Sequence, residues 1–154
     1  MSVALIEFDN TLANTVTTLS KINRYRSQKT TVHTMDSFSM SKLDFNAYLL
    51  VMIYQLRQRG YQIDIYNRRM SSDPDGELVR HWLDRKEIYY DKLHVLNKND
   101  RMLSAVRGYT YLITSTVSDA IELNKYSMLS SATIVNTIIN KNTKLPNYCN
   151  RLYL

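Results

Sequence analysis

The chain has 154 residues, 44% hydrophobic and 22% charged, which suits one compact domain with a substantial core and does not make disorder the default. No apolar run approaches the ~20 residues that cross a bilayer, Met1-Ser2-Val3 lacks the basic start of a secretory signal, and the lone Cys149 has no internal disulfide partner, so a cytoplasmic protein is expected. The formal charge of +6 is unevenly placed, with acid-free stretches carrying Lys21, Arg24, Arg26 and Lys29 and, after Glu122, Lys125, Lys141, Lys144 and Arg151; such patches suit nucleic acid or an acidic protein surface, or are simply solvated faces.

In chain order, Val3 to Phe8 reads as an apolar strand that breaks at Asn10-Thr11. Val16, Leu19 and Ile22 give Ala13 to Arg26 a helical spacing, and the polar Ser27 to Ser41 reads as a loop or small flap. Leu43 to Arg59 is the clearest helix, with Phe45, Tyr48, Leu49, Met52, Ile53 and Leu56 at intervals of three and four and Gly60 as its stop. Tyr61 to Tyr66 is a strand with Ile63 and Ile65 on one face, followed by a loop from Asn67 to Gly76. Glu77 to Lys86 is a helix that buries Leu78, Val79, Trp82 and Leu83. A strand over Lys92 to Leu96, a helix over Lys98 to Val106, a strand over Tyr109 to Thr114, a helix over Val117 to Tyr126 and a last strand over Ala132 to Val135 complete the pattern. Strands alternating with helices predict one α/β domain over residues 1–154, in three layers with a mainly parallel sheet, ending in a basic tail over 136–154.

The first strand carries the chemistry. Side chains two apart on a strand share a face, so Glu7 and Asp9 converge at its carboxyl end, where open α/β sheets bind ligands. Leu5-Ile6-Glu7-Phe8-Asp9-Asn10-Thr11-Leu12 resembles the first motif of the haloacid dehalogenase (HAD) superfamily, four apolar residues and then Asp-x-Asp-x-Thr-Leu, with Glu7 at the nucleophile position and Asp9 at the acid/base position. Ile63-Asp64-Ile65-Tyr66-Asn67-Arg68-Arg69 is similar to its second strand, with Asn67 at a phosphate-binding Thr or Ser and Arg69 at an Arg. Val79-Arg80-His81-Trp82-Leu83 and Tyr90-Asp91-Lys92-Leu93 resemble phrases of the nucleotidase-type and polynucleotide-kinase-type phosphatases, and Asn140 resembles part of a deoxyribonucleotidase tail motif. Lys98 lies where the phosphate-neutralising Lys is expected, and Tyr111-Leu112-Ile113-Thr114-Ser115 where the superfamily has a strand ending in paired acids. The resemblance implies a HAD-like, Rossmannoid fold with at most a small flap, and phosphate contacts from Thr11, Asn67, Arg69 and Lys98.

The departures fall at demanding positions. Glu7 carries one methylene more than the expected Asp, so its carboxylate overshoots an attack geometry that tolerates less than ~1 Å of misplacement. Thr114 and Ser115 replace the metal-binding acids with neutral hydroxyls, leaving Glu7 and Asp9 as the only expected acids, so no metal and no cofactor are expected. Other chemistries lack a signature: His33, His81 and His94 show no zinc spacing with Cys149, there is no Gly-x-Ser-x-Gly elbow, and three glycines form no phosphate loop. The reading is a catalytically degenerate phosphatase-like protein that binds or regulates a macromolecule, and the resemblance implies a phage setting with a host factor as target. The alternatives are an active Mg²⁺-dependent phosphohydrolase on nucleotides or nucleic-acid ends, with Glu7 as nucleophile or base, and a nucleic-acid-binding protein that uses the two basic segments. Twelve tyrosines beside three phenylalanines offer contact anchors or surface-near packing.

Overall fold

A computed structural model describes residues 2–100, 108–125, 129, 131–136 and 144–153. The elements are β1 (Val3–Glu7), α1 (Thr15–Asn23), α2 (Ser37–Ser41), α3 (Ala47–Gln58), β2 (Gln62–Asn67), α4 (Glu77–Arg85), β3 (Lys92–Val95), β4 (Tyr111–Thr114), α5 (Val117–Asn124), β5 (Ser131–Asn136) and β6 (Cys149–Tyr153). The expected helix over Lys98 to Val106 and Asn140 lie largely or wholly outside the described residues.

Six strands form one sheet in the order β3-β2-β1-β4-β5-β6, and every pair is parallel. The expected α/β, HAD-like Rossmannoid architecture is the one found. Parallel strands buried on both faces read as near-continuous apolar runs, as in Val3-Ala4-Leu5-Ile6. Their two-residue alternation divides the core: Ala4, Ile6, Ile63, Ile65 and Ile113 meet Leu49, Ile53, Leu56, Val79, Trp82 and Leu83 of α3 and α4. Leu5, Tyr66, Leu112 and Ile134 face the other way, onto Ala120 and Leu123 of α5.

Several boundaries shift for local reasons. The side chain of Asn46 accepts from Tyr48 N at 3.1 Å and starts α3 four residues later than the apolar spacing predicts. The buried stripe of that helix is Leu49, Ile53 and Leu56, whereas Tyr48 is 55% exposed. The segment read as loop or flap closes with α2, whose first turn is capped by Asp36 accepting from Ser39 N at 2.8 Å; Met35 and Met40 anchor it in the core. Gly76 opens α4 at φ +68°, and a Cβ there would lie 2.8 Å from both Leu93 and Val95, so only glycine fits. The last expected strand, β5, is not the last: β6 pairs with it through Ala132↔Cys149 to Asn136↔Tyr153. Polar Asn150 and Arg151 hide that strand from a periodicity reading, because the open edge of β5 supplies its hydrogen bonds.

Strand order reverses between β1 and β4, since β2 and β3 build out from one side of β1 and β5 and β6 continue from β4 on the other. A crevice opens at such a switch point, beyond the carboxyl ends of the strands. Glu7 and the Thr114-Ser115-Thr116 turn stand there.

Candidate functional site

After Glu7 the chain turns sharply. Leu12 N donates to Glu7 O at 3.2 Å, Ala13 N to Phe8 O at 2.9 Å, and Asn10 takes φ +58°, a left-handed conformation that Asn tolerates. The Asn10 side chain accepts from Val16 N at 2.9 Å, tying the turn to the first turn of α1. This turn and the switch point floor a cleft of about 1030 Å³, walled by α1 through Val16, Leu19 and Asn23 and by the Thr30 to His33 segment. That segment is fastened to α1 by Asn23, whose amide donates to Thr30 O and accepts from Thr30 N, both at 2.7 Å.

Glu7 is enclosed by hydroxyls. Its Oε1 accepts from Thr114 Oγ1 at 2.9 Å, Ser115 Oγ at 2.9 Å, Ser115 N at 3.0 Å and Thr11 Oγ1 at 3.1 Å; Thr116 Oγ1 reaches Oε2 at 3.1 Å. Burial, reinforced by the negative charge of Asp119, holds the Glu7 carboxyl above the usual glutamate range, although hydrogen bonds from Ser115 and Thr114 pull the other way. Thr11 is itself buried, donating to Glu7 and accepting from Ser115 N at 3.0 Å.

Asp9 is held by charge instead. Arg69 Nε donates to Asp9 Oδ2 at 2.9 Å, Arg69 Nη2 bonds Asp9 Oδ1, and Thr15 Oγ1 donates to Oδ1 at 2.7 Å. The guanidinium is 1% exposed, lies over the Phe8 ring at 5.4 Å and gives Nη1 to Met40 Sδ at 2.9 Å. Arg69, expected to contact phosphate, turns its donors to Asp9 and Met40 within the core and does not line the cleft. Thr11 likewise lies behind the cleft. Asn67 and Lys98 do line it, Lys98 exposed and Asn67 buried with an Nδ2 that has no partner.

A third acid was not anticipated. Asp119, 3% exposed in the first turn of α5, takes two bonds from Arg68, Nη1 to Oδ2 at 2.8 Å and Nη2 to Oδ1 at 2.7 Å, and a third from Tyr66 OH at 2.8 Å. Glu7 and Asp9 are thus not the only acids, for Asp119, Asp100 and Glu122 also line the cleft. The signal available in the sequence is an acid four residues past Ser115 at the start of a helix, which reads equally as a dipole-stabilised surface residue. Arg68, Tyr66 and Thr116 carried no signal of their own.

These residues form a chain of contacts. Glu7 Oε1 meets Thr114 Oγ1 at 2.9 Å, Thr114 Oγ1 meets Tyr66 OH at 2.9 Å, and Tyr66 OH meets Asp119 Oδ2 at 2.8 Å. Thr114 donates to Glu7 and Tyr66 donates to Asp119, so the two touching hydroxyls tie the two acids into one network.

The donor set does not fit a magnesium ion. Mg²⁺ is usually held by one or two carboxylates beside waters and phosphate, whereas Glu7 is surrounded by donors and Asp9 and Asp119 each face a guanidinium. Among the described residues, no three His, Cys, Asp or Glu side chains are grouped to hold a metal. His33 is on the cleft wall, His81 is exposed on α4, and His94 on β3 bonds Asp64 at 2.9 Å and Tyr109 at 2.7 Å. Of the basic residues, Lys125 and Lys144 are exposed, Arg151 is half-buried on β6, and Lys141 lies outside the described residues. Among the described residues, no helix is long and apolar enough to cross a membrane.

No family model matches the chain, and no curated protein matches it. Solved structures do. A structure of the Pnkp1/Rnl/Hen1 complex aligns over 99% of this chain and 46% of its own, with TM-score 0.57 and 15% identity. A structure of the Pnkp1/Rnl/Hen1 RNA repair complex gives the same score and identity over 42% of its chain. D,D-heptose 1,7-bisphosphate phosphatase from B. bronchiseptica, complexed with magnesium and phosphate, aligns over 99% of this chain and 92% of its own, with TM-score 0.58 and 9% identity. The chain spans less than half the length of the first two. Such identities establish a shared fold, the one the sequence resemblance implied, and nothing finer.

Proposed function

We propose that this chain is a phosphatase-like protein that has lost phosphoryl transfer and uses its HAD-like frame to bind or regulate a macromolecule. The observation that carries this is the setting of Glu7: the carboxylate at the nucleophile position accepts from Thr11, Thr114, Ser115 and Thr116, and burial raises it above the usual glutamate range. A carboxylate oxygen already occupied by several donors is poorly placed to attack phosphorus or to ligate a metal. The cleft points the same way. With Asp9 and Asp119 matched by Arg69 and Arg68, the other Lys, Arg and Asp side chains lining it among the described residues are Lys98 and Asp100, beside Glu7 and Glu122, so an incoming phosphate ester meets no concentration of positive charge. The setting that accords with the resemblance is a phage protein acting on a host factor.

The test is phosphate release from a panel of nucleotides, 5′- and 3′-phosphorylated oligonucleotides and sugar phosphates with Mg²⁺. No turnover above background is the expected result. One observation favours the hydrolase alternative, for a carboxyl raised by burial is also what a general acid requires. Metal-dependent turnover abolished by Glu7→Gln would establish that alternative and overturn the proposal.

A further inference from the structure

α1 has two lined faces. Val16, Leu19 and Asn23 wall the cleft, whereas Thr18, Lys21 and Ile22, with Tyr25 just beyond the helix, line a separate groove of about 490 Å³. Phe38 and Lys42 form its other side. Two aromatic rings stand in solvent there, Tyr25 at 88% and Phe38 at 55% exposure. Cations surround them: Lys42 Nζ lies 5.1 Å from the Phe38 ring centre and Arg26 Cζ 5.8 Å, while Lys21 is exposed on the helix. Asp44 is the one acid lining the groove, and no Asp or Glu occurs between Asp9 and Asp36 in the sequence. The loop that carries Tyr25 is fixed, because Lys29 Nζ donates to Asn23 O at 2.6 Å and Arg26 O at 2.8 Å, and Arg26 Nη1 donates to Thr30 Oγ1 at 2.9 Å.

We propose that this groove binds single-stranded nucleic acid, with Tyr25 and Phe38 as stacking platforms for unpaired bases and Lys21, Arg26 and Lys42 as phosphate contacts. Cations alone suit any polyanion. Two large rings held in water beside them suit a polyanion that also brings flat apolar faces, which is what distinguishes a single strand from an acidic peptide. A duplex keeps its bases stacked inside and offers those rings nothing. The inference uses no cleft-lining residue, so it stands or falls apart from the loss of hydrolysis.

The experiment is fluorescence anisotropy on the full chain with labelled oligouridylate and oligothymidylate of about 12 nucleotides, each titrated at several salt concentrations. The expected result is binding of either or both, weakening with salt at about 0.7 in log K per log salt for each phosphate contact, roughly 2 for the three cations. Tyr25→Ala is expected to weaken binding about fivefold or more. Lys42→Glu is expected to weaken it and flatten the salt slope, while Tyr54→Ala, at an exposed tyrosine on α3, leaves it unchanged. These side chains are exposed, so circular dichroism should match the wild type. Absence of binding at low salt, affinity indifferent to Tyr25→Ala, or displacement of the oligonucleotide by polyglutamate at equal charge concentration would overturn the proposal.

Discussion

Two carboxylates that stand two residues apart at the end of β1 are held by opposite means. Glu7 is surrounded by neutral donors, four hydroxyls and a backbone N–H, while Asp9 is locked to a buried guanidinium. Burial and the negative charge of Asp119 raise the Glu7 carboxyl although these donors pull it down, so its proton occupancy answers to the surroundings. An ion pair cancels the charge and fixes it. Two acids that are near neighbours in the sequence therefore sit in different surroundings, one a raised carboxyl among hydroxyls and the other half of a buried ion pair.

The largest break in this contrast is expected at the clamp. Arg69→Met should destabilise the fold by about 3 kcal/mol in urea unfolding, since it leaves Asp9 unpaired and removes the contacts to Phe8 and Met40. Tyr66→Phe should cost about 2 kcal/mol, because it removes the hydroxyl that joins Thr114 to a buried, charged Asp119. Glu7→Gln should cost about 1 kcal/mol or less, as its hydroxyl neighbours reorient around an amide; a loss as large as that of Arg69→Met would mean Glu7 is the true anchor.

The same variant sharpens the comparison through pH. A carboxyl raised in the fold binds its proton more tightly folded than unfolded, so its contribution is greatest at low pH and declines between the ordinary 4.5 and its raised value. Measured against Glu7→Gln, the wild type should gain stability as pH falls toward the ordinary glutamate value of 4.5. Flat or opposite behaviour in paired thermal melts would show that Glu7 stays ionised. The smallest effect is expected at Lys98, which is exposed and has no partner among the described residues; Lys98→Ala should change stability by less than about 0.5 kcal/mol.

How far the sequence carried the reading follows from which interactions are local. β1, β2, β4, α3 and α4 announced themselves through apolar spacing, because burial on one or two faces leaves a period in the chain. The placement of Glu7, Asp9 and Thr114 at one sheet end was legible too, since strand ends gather at a switch point. Partner choice was not. Arg69 reads as a ligand contact in sequence, and only the arrival of Phe8, Met40 and Asp9 from separate elements makes it a core residue. Asp119 joins Arg68 and Tyr66 across about 50 residues of chain, and no local pattern encodes that pairing. β6 was missed because an edge strand takes its order from its neighbour.

The order of synthesis gives the central ladder a further meaning. β1 is made first, yet Glu7 meets Thr114 only 107 positions later, and β1 has no partner on that flank until β4 is present. On the ribosome, β2 can join β1 early, leaving Glu7 hydrated and at an ordinary acidity while most of the chain is being translated. The acid acquires its altered proton affinity only when the fourth strand docks, so its titration would serve as a built-in reporter of the moment the sheet closes.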